Sequence, residues 1–232
     1  MKTMLFALAL GAASFSAAAQ ATALASAARP AAAASTGYAD LMAATITELL
    51  GTGDPAQLKQ LASKFERAGT VAPADWLPPY YQSYALMLTA FQSKEDGDVK
   101  DKYLDQAEAA LARASKQGGD ASELLVLQAY IYQARLSVSP MMRSMKYPSM
   151  VTQTLEEAKK HNPNNPRIYL VQANNLYYTP KMFGGGADAA KPYYEQAKAK
   201  FAVAKPANSL VPSWGERQVL GRLKQYDPTA AK

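Results

Sequence analysis

Three consecutive glycines, residues 184–186, stand before an alanine-rich segment that is typical of a helix. Glycines in front of a helix can hold a phosphate group, because their backbone N–H groups are open and the helix dipole favours an anion. A phosphate loop, however, has spaced glycines after a buried strand, followed by Lys and Ser or Thr. Here the glycines are contiguous, a predicted helix precedes them, and Lys191 is followed by Pro192. We therefore predict a turn in which glycine supplies positive φ after a helix end, with Pro192 in the first turn of the next helix.

Side chains with catalytic or metal-binding chemistry are few. Histidine occurs once, as His161, and cysteine is absent, which excludes a zinc site with ordinary ligands. A nucleophile–histidine pair would have to use His161 itself, and nothing near it in the sequence supports one. We interpret His161 as a cation at a helix C-terminus. The acidic segment 93–101 lacks the spacing and the final glutamate of an EF-hand, so we expect a solvated turn there. We predict no catalytic, metal-binding or cofactor-binding residue, and hence no enzyme.

A different chemistry lies in "SVSPMMRSMKYPSM", residues 137–150, where four methionines stand beside Arg143, Lys146 and Tyr147. Methionine adapts to irregular partners and is common at promiscuous binding surfaces. The alternative is that these residues fold back on their own hairpin and fill a small satellite core. The sequence leaves both interpretations open.

The start of the chain is typical of a secretory signal peptide. Lys2 precedes an apolar run over residues 4–13, and small residues before Ala19 and Ala21 offer two cleavage positions. The run is too short to span a membrane, and no cysteine follows it for a lipid anchor. We predict a signal peptide over residues 1–21, an alanine-rich linker over 22–36, and a mature chain without a membrane span that is periplasmic or secreted.

The charge pattern argues against a nucleic-acid partner. The formal net charge of the whole chain is +6, but Lys and Arg are spread along it and mixed with acidic residues. A nucleic-acid surface needs basic residues clustered on one face. We therefore expect no nucleic-acid binding, and an exported location favours the same conclusion.

The rest of the chain is predicted to be helical, in a repeating register. Apolar residues recur at spacings of three and four between glycine- and proline-rich breaks, which indicates about nine helices and no strand. Tyr81, Leu125 and Tyr169 are 44 residues apart, and each is followed by alanine four residues later. A second helix in each unit carries its own small and large apolar positions, such as those at 107, 111 and 114.

These positions resemble the tetratricopeptide repeat, a helix–turn–helix unit, with extra residues inserted between the two helices of each hairpin. The segment that runs from "TPKMFGGG" to "AKPYYEQA", residues 179–197, also resembles exported repeat proteins of Gram-negative bacteria. The resemblance implies an all-α fold, a right-handed superhelical solenoid of antiparallel helix pairs, with about four hairpins over residues 37–203. Residues 204–232 are predicted to form a C-terminal capping helix and tail, in which Trp214 and Leu220 cover the last repeat.

The resemblance also implies a groove lined by the first helices, as a binding surface for a protein or peptide. The inserted loops should lie along one edge and offer a second surface. The predicted groove residues are Gln82, Glu123, Tyr130, Gln133, Arg167, Asn174, Tyr177 and Tyr178, and the predicted loop residues are Met145, Tyr147, Met182 and Phe183.

Two functions follow as hypotheses. The first is an exported, non-catalytic scaffold or adaptor that binds a protein or peptide in the periplasm. The alternative is a small-molecule or ion-binding transport accessory protein whose groove is closed by the inserted loops. An enclosed apolar pocket beside Tyr130 and Tyr178 would favour the alternative, and an open groove would favour the first hypothesis.

Overall fold

Nine helices of at least nine residues, one short helix and one 3₁₀ turn form the secondary structure of residues 37–226, the part of the chain that the computed structural model describes. No strand occurs in that range. The predicted signal peptide and linker lie outside the described residues. The helices are α1 (37–51), α2 (Pro55–Val71), α3 (Leu77–Gln92), α4 (Gly97–Lys116), α5 (Ala121–Val138), α6 (Pro140–Arg143), α7 (Tyr147–His161), α8 (Pro166–Tyr178), α9 (Ala187–Val203) and α10 (Glu216–Lys224), with the 3₁₀ turn Lys181–Phe183 before α9.

Side-chain caps fix where several helices begin. The carboxylate of Asp54 accepts a hydrogen bond from the backbone N–H of Gln57 at 3.0 Å, and Asp120 accepts one from Glu123 at 2.9 Å. Each satisfies a backbone donor that has no partner within its helix. Both caps follow from local sequence, since each aspartate stands directly before a helical stretch and Asp54 is followed by Pro55.

The helices pack as antiparallel pairs, α3 with α4, α5 with α7, and α8 with α9. The 44-residue register places Ala85, Ala129 and Ala173 at equivalent points of the first helices, and all three are completely buried. A small residue there lets the neighbouring helix approach closely. The predicted all-α fold of helix pairs is confirmed, whereas the right-handed superhelical arrangement stays a prediction.

The segments that join the two helices of a pair lie at a common end of the described hairpins, which we call the loop edge. The start of α4 lies against the end of α5, since a Cβ added at Gly97 would be 3.2 Å from Cγ1 of Val138. The end of α8 lies against the start of α7, because Nδ2 of Asn175 donates to the carbonyl of Pro148 at 3.3 Å. Residues 93–96, 139–146 and 179–186 therefore belong to the same end of the fold.

Pro192 corrects one sequence prediction. It was expected in the first turn of its helix, but α9 begins at Ala187, so the proline lies inside the helix. A proline there lacks the N–H that would bond to the carbonyl of Asp188. Asp188 is exposed to solvent, and water can replace the missing donor.

Candidate functional site

The groove formed by the first helices is filled by the chain itself. We call residues 204–226 the C-terminal segment. Its Trp214 is only 2% exposed and stacks on Tyr84 and Tyr130, with ring centroids 4.8 and 5.7 Å away. The indole N–H also donates to the hydroxyl of Tyr80 at 2.9 Å. An aromatic residue held on both faces and at its polar tip is a core residue.

Further hydrogen bonds fix the C-terminal segment along the groove. The hydroxyl of Tyr81 donates to the carbonyl of Leu210 at 2.9 Å, and Tyr130 is within 3.3 Å of the amide of Gln218. The prediction that Trp214 and Leu220 cover the last repeat is met only in part, because the ring of Trp214 lies 5.6 Å from the guanidinium of Arg167 on α8 but also contacts earlier helices. Trp214 lies between aromatic residues of α3 and α5, and Leu220 is 38% exposed, although α10 does pack on α9.

A buried ion pair lies beneath Trp214. Arg167 donates from Nε to one carboxylate oxygen of Glu123 at 2.8 Å and from Nη2 to the other at 2.5 Å. Asn165 donates to the same carboxylate at 2.9 Å. Burial opposes the charge, but Glu123 raises the pKa of Arg167 above its ordinary value. The guanidinium carbon lies 5.6 Å from the Trp214 ring, so the pair and the C-terminal segment form one unit.

Six of the eight predicted groove residues are buried and make contacts within the chain. Gln82 accepts from Arg113 at 2.6 Å, and Gln133 donates to the carbonyl of Val171 at 2.6 Å. The groove around these residues is thus neither open nor an empty pocket. The buried six are Gln82, Glu123, Tyr130, Gln133, Arg167 and Asn174.

The other two groove residues lie where α8 reaches the loop edge. Tyr177 is half-buried and Tyr178 is 67% exposed. The guanidinium of Arg222 lies over both rings, 4.6 and 5.5 Å from their centroids. Partner binding by any of the eight groove residues stays a prediction, and for Tyr130 and Arg167 it requires the C-terminal segment to move.

The methionine loop, residues 139–146, carries large apolar side chains into solvent. Met141, Met142 and Met145 are 90%, 81% and 92% exposed. Of the two interpretations drawn from the sequence, filling of a small core does not hold for these three side chains. Tyr147, just after the loop, is half-buried and packs on Tyr132 with ring centroids 5.9 Å apart.

A charge clamp fixes the methionine loop to its own hairpin. Arg143 donates to both carboxylate oxygens of Asp101 on α4, at 2.9 and 2.6 Å, and to the carbonyl of Arg135 on α5 at 2.8 Å. Two parallel hydrogen bonds between a guanidinium and a carboxylate fix the relative orientation of the two groups as well as the distance between them. The exposed methionines are therefore presented by an anchored turn.

The contribution of the clamp to stability should depend on pH in a defined way. Arg143 holds the pKa of Asp101 below its ordinary value, so the clamp stabilises fully above pH about 4 and is lost as pH falls through the lowered pKa. We expect Arg143→Ala to lower the free energy of unfolding by about 1–2 kcal/mol at pH 7. Urea unfolding at pH 7 and pH 3 measures this difference, which should shrink at the lower pH.

Lys146→Ala is the matched control for the clamp, because Lys146 lies in the same loop and is exposed. An exposed substitution of this kind changes stability by less than about 0.5 kcal/mol. A difference between Arg143→Ala and wild type that is equal at both pH values would contradict the assignment.

The glycine loop, residues 179–186, folds back on the end of α8. Gly184 and Gly186 have φ of 80° and 99°, and a Cβ at Gly185 would lie 2.2 Å from the carbonyl oxygen of Thr179. The N–H groups of the three glycines donate to the carbonyls of Lys181, Pro180 and Leu176 at 3.0, 3.2 and 2.8 Å, so they are not open to a phosphate. The turn predicted from the sequence is confirmed.

The glycine loop also presents apolar side chains to solvent. Met182 and Phe183 are 82% and 71% exposed. Together with the three methionines of the methionine loop they form a set that we call the apolar edge. That these side chains, with Tyr147 beside them, form one continuous surface stays a prediction. The apolar edge consists of Met141, Met142, Met145, Met182 and Phe183.

Other kinds of site find no support in the described residues. The imidazole of His161 is half-exposed at the end of α7, 3.9 Å from Glu157. Within residues 37–226, no group of three His, Asp or Glu side chains is placed to hold a metal ion. In the same range, no helix has both the length and the apolar character needed to cross a membrane.

Sequence reasoning named only part of the apolar edge. Met141 and Met142 were noted in the loop but not chosen as site residues, and Lys146 and Lys181 were not considered as cations beside it. The sequence does contain an indication that these methionines are exposed, because residues 139–146 contain three methionines and no Leu, Ile or Val. A loop that fills a core would be expected to use those better-defined side chains.

Comparisons with known proteins give one informative result. No protein-family profile matches the sequence, and no match is found among curated proteins. Among solved structures, the chain is similar to the HusA haemophore from Porphyromonas gingivalis, with 34% sequence identity and a TM-score of 0.73. The match covers 81% of this chain and 92% of that one. The haemophore shares the all-helical architecture described above. Membership of this chain in the tetratricopeptide family rests on the sequence resemblance alone.

Proposed function

The chain belongs to the family of the HusA haemophore, and on that premise we propose that it is a non-catalytic protein that binds haem at its apolar edge. One observation carries the proposal. Five large apolar side chains, 71–92% exposed, stand on two loops at the same end of the fold. Several large apolar side chains that face water at one end of a fold mark a site of interaction.

The chemistry of the apolar edge fits a porphyrin. Haem is a flat apolar ring with two propionate groups on one side. Methionine and phenylalanine side chains give the ring apolar contact, and the flexible methionines can adapt to its shape. Lys146 and Lys181 lie within the same two loops and can pair with carboxylates. Lys181 is only weakly engaged, since it lies 3.3 Å from Asp188 with both side chains largely in solvent.

A small-molecule cargo is better supported than a protein or peptide partner. The first hypothesis from the sequence relied on a groove open to a partner, and six of its eight residues are buried by contacts within the chain. The relative is described as a haemophore, a class defined by a small molecule. Export to the periplasm or beyond, which the sequence predicts, suits a protein that captures haem outside the cytoplasm.

Substitution of the apolar edge tests the proposal. We expect Met145→Ser/Met182→Ser/Phe183→Ser to weaken binding of both haem and metal-free protoporphyrin about 100-fold. Each side chain that is partly covered by the ring contributes roughly 1 kcal/mol, and 1.4 kcal/mol corresponds to a factor of ten. Absorbance and fluorescence titrations of the mature protein measure both affinities.

Val71→Ser/Val203→Ser serves as the control. These valines are 73% and 75% exposed, but they end α2 and α9 and lie away from the two loops. Porphyrin binding should be unchanged in this variant. Equal losses in the two variants, or full binding by the triple variant, would refute the apolar edge as the site.

A further inference from the structure

Four of the five residues of the apolar edge carry a thioether sulfur that faces water. Met141, Met142, Met145 and Met182 are 81–92% exposed. Leucine or isoleucine would supply similar apolar area without the sulfur, and neither occurs in residues 139–146 or 179–186. The apolar edge therefore presents oxidisable sulfur where apolar contact alone does not require it.

The other methionines within residues 37–226 are protected by the fold. Met42 and Met87 are 1% and 0% exposed in the core, and Met150 is half-buried. Cysteine, whose thiolate is the usual target of oxidants, is absent from the chain. A mild oxidant in the surroundings of the protein therefore meets the thioethers of the apolar edge first.

Oxidation changes the character of a methionine side chain without moving it. A peroxide transfers one oxygen atom to the sulfur, so that an S–O bond forms and the O–O bond breaks. The sulfur loses two electrons, and the peroxide is reduced to water or an alcohol. The sulfoxide is polar and chiral where the thioether was apolar. A polar group that a flat apolar ligand covers without a hydrogen bond weakens binding of that ligand.

The support of the apolar edge does not depend on the thioethers. The turn that carries three of the methionines is fixed by Arg143, which donates to both carboxylate oxygens of Asp101. The glycine loop is fixed by backbone hydrogen bonds from residues 184–186. Oxidation of the four sulfurs therefore alters the surface and leaves the loops in place.

We propose that the four methionines of the apolar edge are reversible oxidation sites, and that their conversion to sulfoxides by a peroxide releases the bound porphyrin. The release part of this inference rests on the proposed function. In the reduced state the side chains give the ring apolar contact, and in the oxidised state they oppose it. Methionine sulfoxide reductases return each sulfoxide to the thioether, so the change is reversible.

Treatment of the mature protein with hydrogen peroxide tests the proposal. Peroxide is removed before metal-free protoporphyrin is titrated in the dark, which excludes damage to the porphyrin and photo-oxidation. Peptide mass spectrometry should show that the four exposed methionines oxidise about 10-fold faster than Met42 and Met87, or more. Protoporphyrin affinity should fall about 10-fold or more. The midpoint of urea unfolding should stay unchanged, because the four side chains are exposed.

Leucine substitutions provide the matched control. Met141→Leu/Met142→Leu/Met145→Leu/Met182→Leu keeps the apolar area, so it should bind protoporphyrin within about threefold of wild type. Peroxide treatment should leave the affinity of this variant unchanged. Incubation of oxidised wild type with methionine sulfoxide reductases for both sulfoxide epimers should restore its binding.

The outcomes distinguish this inference from the proposed function. A leucine variant that loses affinity on peroxide treatment as wild type does would refute the inference, while porphyrin binding stands. Full affinity in wild type that carries all four sulfoxides would refute it equally. If the leucine variant does not bind before treatment, affinity of wild type that stays lost after complete enzymatic reduction refutes the inference. Failure of untreated wild type to bind protoporphyrin or haem would overturn the proposed function, and porphyrin release with it.

Discussion

Trp214→Ala is expected to lower the free energy of unfolding by about 3–5 kcal/mol, the range for removal of a large aromatic residue from a core. The indole is 2% exposed and lies between the rings of Tyr84 and Tyr130. Its loss leaves a cavity between α3, α5 and the C-terminal segment, and it leaves the hydroxyl of Tyr80 without its donor. Urea unfolding followed by circular dichroism measures the loss.

Trp214→Phe is the matched control. It keeps an aromatic ring in the stack but removes the N–H, so we expect a smaller loss of about 1–2 kcal/mol. Limited trypsin digestion gives an independent readout, because exposed Arg217 lies in the C-terminal segment three residues after Trp214 and is followed by Gln218. Cleavage there should accelerate in Trp214→Ala. A loss below about 1 kcal/mol with unchanged cleavage would show that the segment is not part of the core.

Glu123→Gln is expected to cost a similar 3–5 kcal/mol, because it leaves the charge of Arg167 buried without a partner. The two side chains are 10% and 9% exposed, so water cannot replace the lost carboxylate. The change also weakens the contact with Asn165, which caps α8. Urea unfolding at pH 7 is again the measurement.

Two further variants make the ion-pair prediction specific. Glu157→Gln breaks the exposed pair with Lys160, whose side chains are 47% and 72% exposed, and should cost less than about 1 kcal/mol. Glu123→Gln/Arg167→Met removes both charges and should recover part of the single-variant loss, since a buried pair can often be replaced by apolar residues at little cost. Strict addition of the two single losses would contradict the direct coupling seen in the structure.

These two core features assign different roles to the two surfaces predicted from the sequence. The groove is filled by Trp214 and supported by the Arg167–Glu123 pair, so it stabilises the fold. The apolar edge lies at the ends of the hairpins and takes no part in that core. A binding surface on fixed loops, supported by a rigid scaffold, is a common arrangement for recognition sites.

The helical pairs could be predicted because their signals are local. A spacing of three and four residues follows directly from helix geometry, and the 44-residue register identified Ala85, Ala129 and Ala173, all completely buried. The caps at Asp54 and Asp120 are likewise decided within three residues of sequence. The position of Pro192 was predicted wrongly from local sequence, because the start of α9 at Ala187 depends on how the glycine loop folds.

The position of Trp214 could not be predicted, because its partners are distant in sequence. Its hydrogen bond to Tyr80 spans 134 residues, and the chain around it has no helical periodicity to indicate a buried face. The exposure of the methionines depends in the same way on the contact between Arg143 and Asp101, 42 residues apart. Sequence analysis identified the methionine-rich loop but left open whether it binds or packs.

Binding at the apolar edge can be observed directly by methyl NMR of the mature protein labelled with ¹³C at methionine methyl groups. Metal-free protoporphyrin has a strong ring current that shifts the resonances of methyl groups near its face. We expect the resonances of the four loop methionines, Met141, Met142, Met145 and Met182, to move on titration. Those of Met42 and Met87, which are 1% and 0% exposed in the core, should stay unchanged. Porphyrin binding that leaves the loop methyl resonances unmoved would contradict the account.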